Sequence, residues 1–323
     1  MKSDDEIYGA FQALWQDIQH AETFPVKRPL LAHYTSIATL ERIMVNDEIW
    51  FSNPLYMNDM EELRFGILEG AQAFRQHEAI KFACNDPKRY DLLLNAFEYQ
   101  LNRFSNEHAF DTYVFCLSEH DIEKDTDGLL SMWRGYGSNG NGAAIIFDAA
   151  QLSHIGGSPL IISKVSYASQ DDRRQWIDAK FREFANLLSK NNVPDDKLYL
   201  PAYALFERIK MFSIFTKHRG FSEEKEWRVV YLRDRDVEHR MDGMLHYSIG
   251  RNGIEPKFKL KIKPINGVTS DNFSLDKIVS QIILGPSISS PLAVNSVRRM
   301  IETVGKHELA NKLIASTTPF RSS

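Results

Sequence analysis

Cysteine is nearly absent, with Cys84 and Cys116 the only two in 323 residues. Two thiols cannot complete a tetrahedral thiolate site alone, and a disulfide-knit scaffold is excluded at this length. No apolar run approaches the length that spans a bilayer. The opening stretch MKSDDEIYGAFQALW is acidic where a secretory leader is basic, so a reducing, cytoplasmic setting is expected. An excess of one charge is missing too. Thirty-nine Lys and Arg stand against 43 Asp and Glu, a formal net charge of −4. That removes whole-chain attraction to nucleic acid or to a membrane surface and leaves only local basic grooves.

Several motifs are also missing. There is no G-x-x-x-x-G-K-[ST] phosphate loop, H-E-x-x-H pair, paired C-x-x-C or G-x-S-x-G elbow, which sets aside the readily recognised NTPase, zinc and serine-hydrolase classes. His77, His108 and His154 show no ligand spacing, and no metal is expected. Gly135-Tyr136-Gly137-Ser138-Asn139-Gly140 does spell G-x-G-x-x-G. A dinucleotide site needs a strand before that loop and a helix after it. Here a helical turn (Leu129 to Arg134) precedes and a strand (Ala143 to Phe147) follows, so the loop reads as a turn.

What remains is an ordinary globular chain, 43% hydrophobic and 25% charged. Ile7, Phe11, Leu14, Trp15 and Ile18 recur at helical spacing behind Ser3. Ser36 caps a short helix to Val45, and Asp86-Pro87 opens another carrying Leu92, Leu93, Phe97 and Leu101. Asp59 and Glu62 have capping-box spacing. Strands are expected at Leu30–Tyr34, Ile49–Ser52, Thr112–Leu117, Ala143–Phe147, Leu160–Tyr167, Trp227–Leu232, Phe258–Ile262 and Ile278–Leu284. Long helices are expected over 172–188 and 197–215. The alternation is irregular, so the fold class is α+β with a mixed or mostly antiparallel sheet. An N-terminal helical segment (1–29), one α+β domain with helical insertions (30–290) and C-terminal helices (291–323) make up the expected organisation.

Three segments carry candidate chemistry. His33-Tyr34-Thr35-Ser36 closes a strand and offers an imidazole and a flat ring. Ile49-Trp50-Phe51-Ser52-Asn53-Pro54, running into Asn58-Asp59-Met60-Glu61-Glu62, puts Trp50 and Ser52 on one strand face by alternation. In Glu224-Lys225-Glu226-Trp227-Arg228 two carboxylates stand two residues apart at a strand mouth, and the strand reading sends both to the same face.

In order, these segments closely resemble an uncharacterised bacterial family, the domain of unknown function 2971. The resemblance continues through Phe115-Cys116-Leu117-Ser118, Met132-Trp133-x-x-Tyr136, Gly142 to Asp148 and Ile282-Ile283-Leu284-Gly285-Pro286. It spans about residues 30 to 290, and the family label names no activity. The order of parts also looks like the ADP-ribosyltransferase superfamily, including its toxins. That likeness implies NAD as substrate, His33 holding its ribose, Ser52 or Trp50 near the nicotinamide, and Glu226 as the catalytic carboxylate with Glu224 upstream. The second strand lacks the tyrosine of the histidine class, for which Tyr34 or Tyr136 would stand in. Arg134, Lys217 and Arg219 would meet the pyrophosphate.

The chemistry implied is transfer of ADP-ribose to DNA, RNA or protein, as a toxin or phage-defence effector with an antitoxin or defence-system partner and no membrane. A different reading is a non-catalytic nucleic-acid-binding or antitoxin-like module whose basic patch is Lys217-His218-Arg219 with Arg228, Arg233, Arg235 and Arg240. A third is a Mg²⁺ nuclease built on Asp59, Glu62 and Glu226.

Overall fold

The computed structural model describes residues 2–17, 30–57, 60–151, 156–250 and 253–320, leaving aside the side chains of 60–65 and 250. The chain forms two compact units and passes between them repeatedly. One comprises 1–22, 54–111 and 165–221, and the other 23–53, 112–164 and 222–323. The N-terminal helix therefore folds with the helices of 54–111 and 165–221, while the C-terminal helices belong with the sheet. The two long bundle helices expected at 172–188 and 197–215 are present. Among the described residues no helix is long and apolar enough to cross a membrane.

The first unit is helical. It contains α1 (Asp4–Ala10), α3 (Met60–Gln76), α4 (Glu78–Cys84), α5 (Pro87–Arg103), α7 (Gln170–Asn191) and α8 (Tyr199–Ile214). A short parallel ribbon of β6 (Ser166–Ala168) and β7 (Thr216–His218) joins them. Local chemistry sets the helix starts: Ser3 forms a capping box with Glu6, and Asp86 caps α5 ahead of its Pro87. α8 is buried on nearly all sides, which marks it as the central helix of this unit. Phe74 stacks on Phe97 at 4.2 Å and meets Phe181 edge-on.

The second unit is built on a ten-stranded sheet. In order across it run β12 (Leu313–Ala315), β11 (Val279–Leu284), β4 (Gly142–Asp148), β1 (Leu30–Ser36), β3 (Thr112–His120), β2 (Glu48–Ser52), β10 (Gly253–Lys261) and β9 (Leu245–Gly250). β8 (Glu226–Leu232) branches from the other edge of β3 and carries β5 (Leu160–Lys164) beyond it. Among the described residues, only the β11–β12 pair of this sheet is parallel. The protein is thus α+β with a mostly antiparallel sheet. Helix α2 (Ile37–Asn46) links β1 to β2, α6 (Leu130–Gly135) precedes β4, and α9 (Leu275–Ile278) precedes β11. α10 (Pro291–Thr303) and α11 (His307–Asn311) lead into β12, so the segment expected as helices alone also adds a strand to the sheet.

Strand alternation divides the sheet's side chains into two layers. One face carries Leu31, Phe51, Phe115, Leu117, Trp227 and Phe258, packed with α2 and the C-terminal helices into the larger core. On the other face Ala32, Tyr34, Ala144, Ile146 and Ile283 lie against Met132 and Trp133 of α6. The glycine loop after α6 serves that smaller layer. A Cβ on Gly137 would sit 2.4 Å from the Trp133 ring, and one on Gly142 would sit 2.1 Å from the Thr35 carbonyl oxygen. The glycines let the chain turn tightly onto β1, so their role is packing and not phosphate binding. Gly142→Ala is expected to lower unfolding stability by about 2–3 kcal/mol, from overpacking against backbone that cannot yield, measured as a drop in urea midpoint.

Candidate functional site

The site rests on how β3 divides its two edges. One edge pairs with β8 along its length, from Thr112↔Leu232 to Ser118↔Glu226. The other is shared: β1 meets it at Ser118, Glu119 and His120, and β2 touches it only at Val114. Residues 115–117 lie in the fork where β1 and β2 part. Ser118 is therefore in register with Ala32 on one side and Glu226 on the other.

That register places the candidates. Glu226 opens β8, is only 3% exposed, and lies on the α6 face of the sheet. Its carboxylate takes two charge-assisted hydrogen bonds from Arg228, two residues on, at 2.7 Å from Nε and 3.3 Å from Nη2. A guanidinium fork supplies the compensation that a buried carboxylate needs. Glu224 precedes the strand, in a short 3₁₀ turn. Between the two carboxylates Lys225 has φ +42, a left-handed conformation that a lysine rarely takes. The expected two-residue alternation therefore does not govern Glu224, because the residue between the carboxylates is not extended. Ser118, fully buried, donates to the Glu224 carbonyl at 2.6 Å, and Glu119 N–H donates to the Lys225 carbonyl at 3.0 Å. Tyr136, exposed just past α6, donates its hydroxyl to Glu224 Oε1 at 2.8 Å. Glu224, Glu226 and Tyr136 thus form one cluster around Ser118.

Trp50 and Ser52 lie on the same face of the sheet, on β2. Trp50 Nε1 donates to Glu48 at 2.9 Å, and Ser52 accepts from Lys257 Nζ at 3.0 Å. Tyr34 does not reach this surface. It is buried edge-on against Trp133, accepts the Leu129 N–H at 2.9 Å, and is pushed up to about 12 by burial.

His33 departs furthest from expectation. It lies on the opposite face, its ring 4.4 Å from that of Phe115, so His33 and Glu226 do not face a common cleft. The reason is parity: Ala32, not His33, is in register with Ser118 and Glu226. Nδ1 is 3.1 Å from the Cys116 carbonyl oxygen in the fork. The ring N–H that was expected to reach a ribose is therefore donated to the backbone, which leaves the Nε2 lone pair as an acceptor. Burial pushes His33 down to about 4, against the opposing pull of that carbonyl, so the ring is neutral near pH 7.

Three cations escaped the sequence reading. Lys257, Lys259 and Lys261 pair with Ser52, Trp50 and Glu48 across β10 and β2 and share the Trp50 face. Their signal was the strict alternation of Lys257-Phe258-Lys259-Leu260-Lys261. Of the residues proposed for pyrophosphate, Lys217 and Arg219 belong to the helical unit, where Lys217 lies buried 4.7 Å from the Phe221 ring centroid. Arg134 lies over the ring of Phe320. The expected basic patch is likewise divided, since Lys217-His218-Arg219 fall in one unit and Arg228 to Arg240 in the other. Asp59 and the Glu62 side chain lie outside the described residues. Among the described residues no three His, Cys, Asp or Glu side chains are grouped to hold a metal ion. A cavity of about 90 Å³ lies on the opposite, apolar face, lined by Phe51, Phe115, Phe147 and Phe273, and none of the expected site residues enters it.

With this geometry in hand, comparison with known proteins adds one match. A family model described as a protein of unknown function (DUF2971) matches residues 132–229, and the chain is similar to that family there. The matched stretch carries Trp133, Tyr136, Glu224, Glu226 and Arg228, the core of the cluster. No curated protein and no solved structure matches the chain.

Two histidines, half-buried His33 and buried His120, make stability depend on pH. His33 is lowered as above. His120, at the end of β3, is lowered by burial, and neither of its ring nitrogens has a hydrogen-bond partner among the described residues. A depressed histidine pKa means the unfolded chain binds the proton more readily. The stability is therefore complete above the ordinary value of 6.5 and is lost as pH falls from there toward about 4. The loss attributable to His33 is on the order of 2–3 kcal/mol. Urea titrations from pH 7.5 to 4.5 are expected to show this decline, and His33→Gln with His120→Gln is expected to flatten it.

Proposed function

We propose that this protein transfers ADP-ribose from NAD, with the Glu226–Glu224–Tyr136 cluster as its catalytic end and the fork between β1 and β2 beside it. The observation that carries this reading is the pair of carboxylates at the mouth of β8. They are separated by a left-handed lysine and held apart by different partners, Arg228 for one and Tyr136 for the other. Each carboxylate can then do a different task.

Cleavage of the nicotinamide–ribose bond sends its electron pair out with nicotinamide and leaves positive charge on the ribose carbon. Glu226, a buried carboxylate held by the Arg228 guanidinium, offsets that charge as it develops. The acceptor nucleophile bonds to the same carbon and surrenders its proton, for which Glu224, half-buried and within reach of solvent, is the general base. Tyr136 orients Glu224. His33, on the opposite face with its ring N–H held by the Cys116 carbonyl, takes no part in this site. Arg228 is a positioning residue that compensates the buried charge of Glu226. The acceptor, and any toxin or defence role, is open to the same assays.

The test is saturation binding of NAD, followed by transfer of label from NAD to mixed DNA, RNA and protein acceptors. Glu226→Gln is expected to keep NAD binding and lose at least about 100-fold in transfer, in the range seen when one electrostatic stabiliser is removed. Glu224→Gln is expected to lose transfer and retain slow release of free ADP-ribose. Near-ultraviolet circular dichroism checks that the variants are folded. Absence of NAD binding at millimolar concentration overturns the reading.

A further inference from the structure

We infer that the face of β2 and β10 carrying Trp50 and the alternating lysines binds single-stranded nucleic acid. The register brings Lys257, Lys259 and Lys261 out on one side of β10, opposite Ser52, Trp50 and Glu48. The intervening Phe258 and Leu260 are buried on the other side, and Phe258 meets Phe51 edge-on at 5.3 Å. The apolar layer thus fixes the spacing of the cations. The three lysines span about 13 Å of strand, at two residues and ~6.7 Å apiece. That is a rigid row of positive charge, suited to successive phosphates.

The balance of charge on this face is positive. Lys257 is paired with Glu255 at 3.1 Å and Lys261 with Glu48 at 2.8 Å. Lys259 has no ion pair among the described residues; its ammonium stands 4.0 Å from the Trp50 ring centroid, and the Arg42 guanidinium lies 5.7 Å from the same ring. Four cations therefore face two carboxylates. Lys257 and Glu255 are largely shielded, with side-chain exposures of 15% and 18%, so Lys259 and the 44%-exposed Lys261 are the lysines most open to a phosphate.

Trp50 decides which polyanion fits. The Trp50 indole, capped by the Lys259 ammonium, becomes a stacking platform once a phosphate draws that lysine away, and stacking on it requires a base free of its own helix. A duplex keeps its bases stacked inside and presents only phosphate. Heparin and acidic peptides carry charge without a flat apolar ring system. The combination of lysine row and indole selects a single strand. This inference stands on the β2–β10 register and is independent of the transfer chemistry above; if both hold, a single-stranded nucleic acid is the acceptor class.

The experiment is fluorescence anisotropy of the full chain with a labelled single strand of about 16 nucleotides, as DNA and as RNA, at several salt concentrations. A duplex of the same length, heparin and a poly-glutamate peptide serve as competitors. The expected slope of log K against log salt is about −2, and each of Lys257→Gln, Lys259→Gln and Lys261→Gln is expected to reduce it by about 0.7. Trp50→Leu is expected to weaken single-strand binding roughly tenfold while Trp50→Phe retains most of it. Three results overturn the inference: no binding at low salt, binding insensitive to these four residues, or duplex, heparin or peptide competing as well as the unlabelled strand. A protein that binds the strand in this way but binds no NAD refutes the transferase reading alone.

Discussion

The organisation of the sheet unit depends on β3, a strand whose two edges are treated differently. Its β8 edge is paired along seven registers, whereas its other edge is divided between the start of β1 and a single contact with β2. A strand cannot hydrogen-bond two diverging neighbours at once, so β1 and β2 must separate, and the helix between them spans the gap. The backbone carbonyl left in the fork at Cys116 takes the ring of His33 in place of a strand partner, which meets the general demand that buried backbone polar groups be satisfied. The carboxylate cluster follows from the other edge, because Ser118 there fixes both the start of β8 and the turn that carries Glu224.

The same region shows how a buried charge is tolerated. Glu226 sits two residues from Arg228 on one strand face, so alternation alone supplies the partner within reach. The turn before it is held by main-chain and hydroxyl bonds to β3, which over-determine the left-handed Lys225. Backbone strain of that kind persists where its surroundings enforce it, often beside functional groups. On the far side Trp227 donates to Glu119, which Lys164 also engages. Both faces of the β8 mouth are thereby pinned, and the two carboxylates keep distinct environments.

Much of this was legible from local pattern. The α+β class, the caps at Ser3, Ser36 and Asp86, the long helices and most of the strands follow from alternation, helical periodicity and capping chemistry, all of which act within a few residues. The glycine loop was readable as a turn from the order of its flanking elements. Glu226 and Arg228 announced themselves as charged residues in an apolar strand. The lysine row was equally legible and passed unused, because its significance depends on the neighbour it faces. The separate strand β9, the division of 160–167 into two strands, and the crossing of the chain between two units depend on partners far away in sequence.

Residue spacing by itself determined which side chains share a face within one strand or helix, since that is fixed by backbone geometry: Trp50 with Ser52, Glu226 with Arg228, Lys257 with Lys259 and Lys261. Only the tertiary structure decided which strands lie side by side and in what register. A shift of one residue in pairing turns every side chain of a strand to the opposite face, and no local pattern encodes that shift between segments some eighty residues apart. That is why the sequence could place His33 on a strand, which runs on to Ser36 and not to an end near Tyr34, but could not say that Ala32, and not His33, would stand level with Glu226.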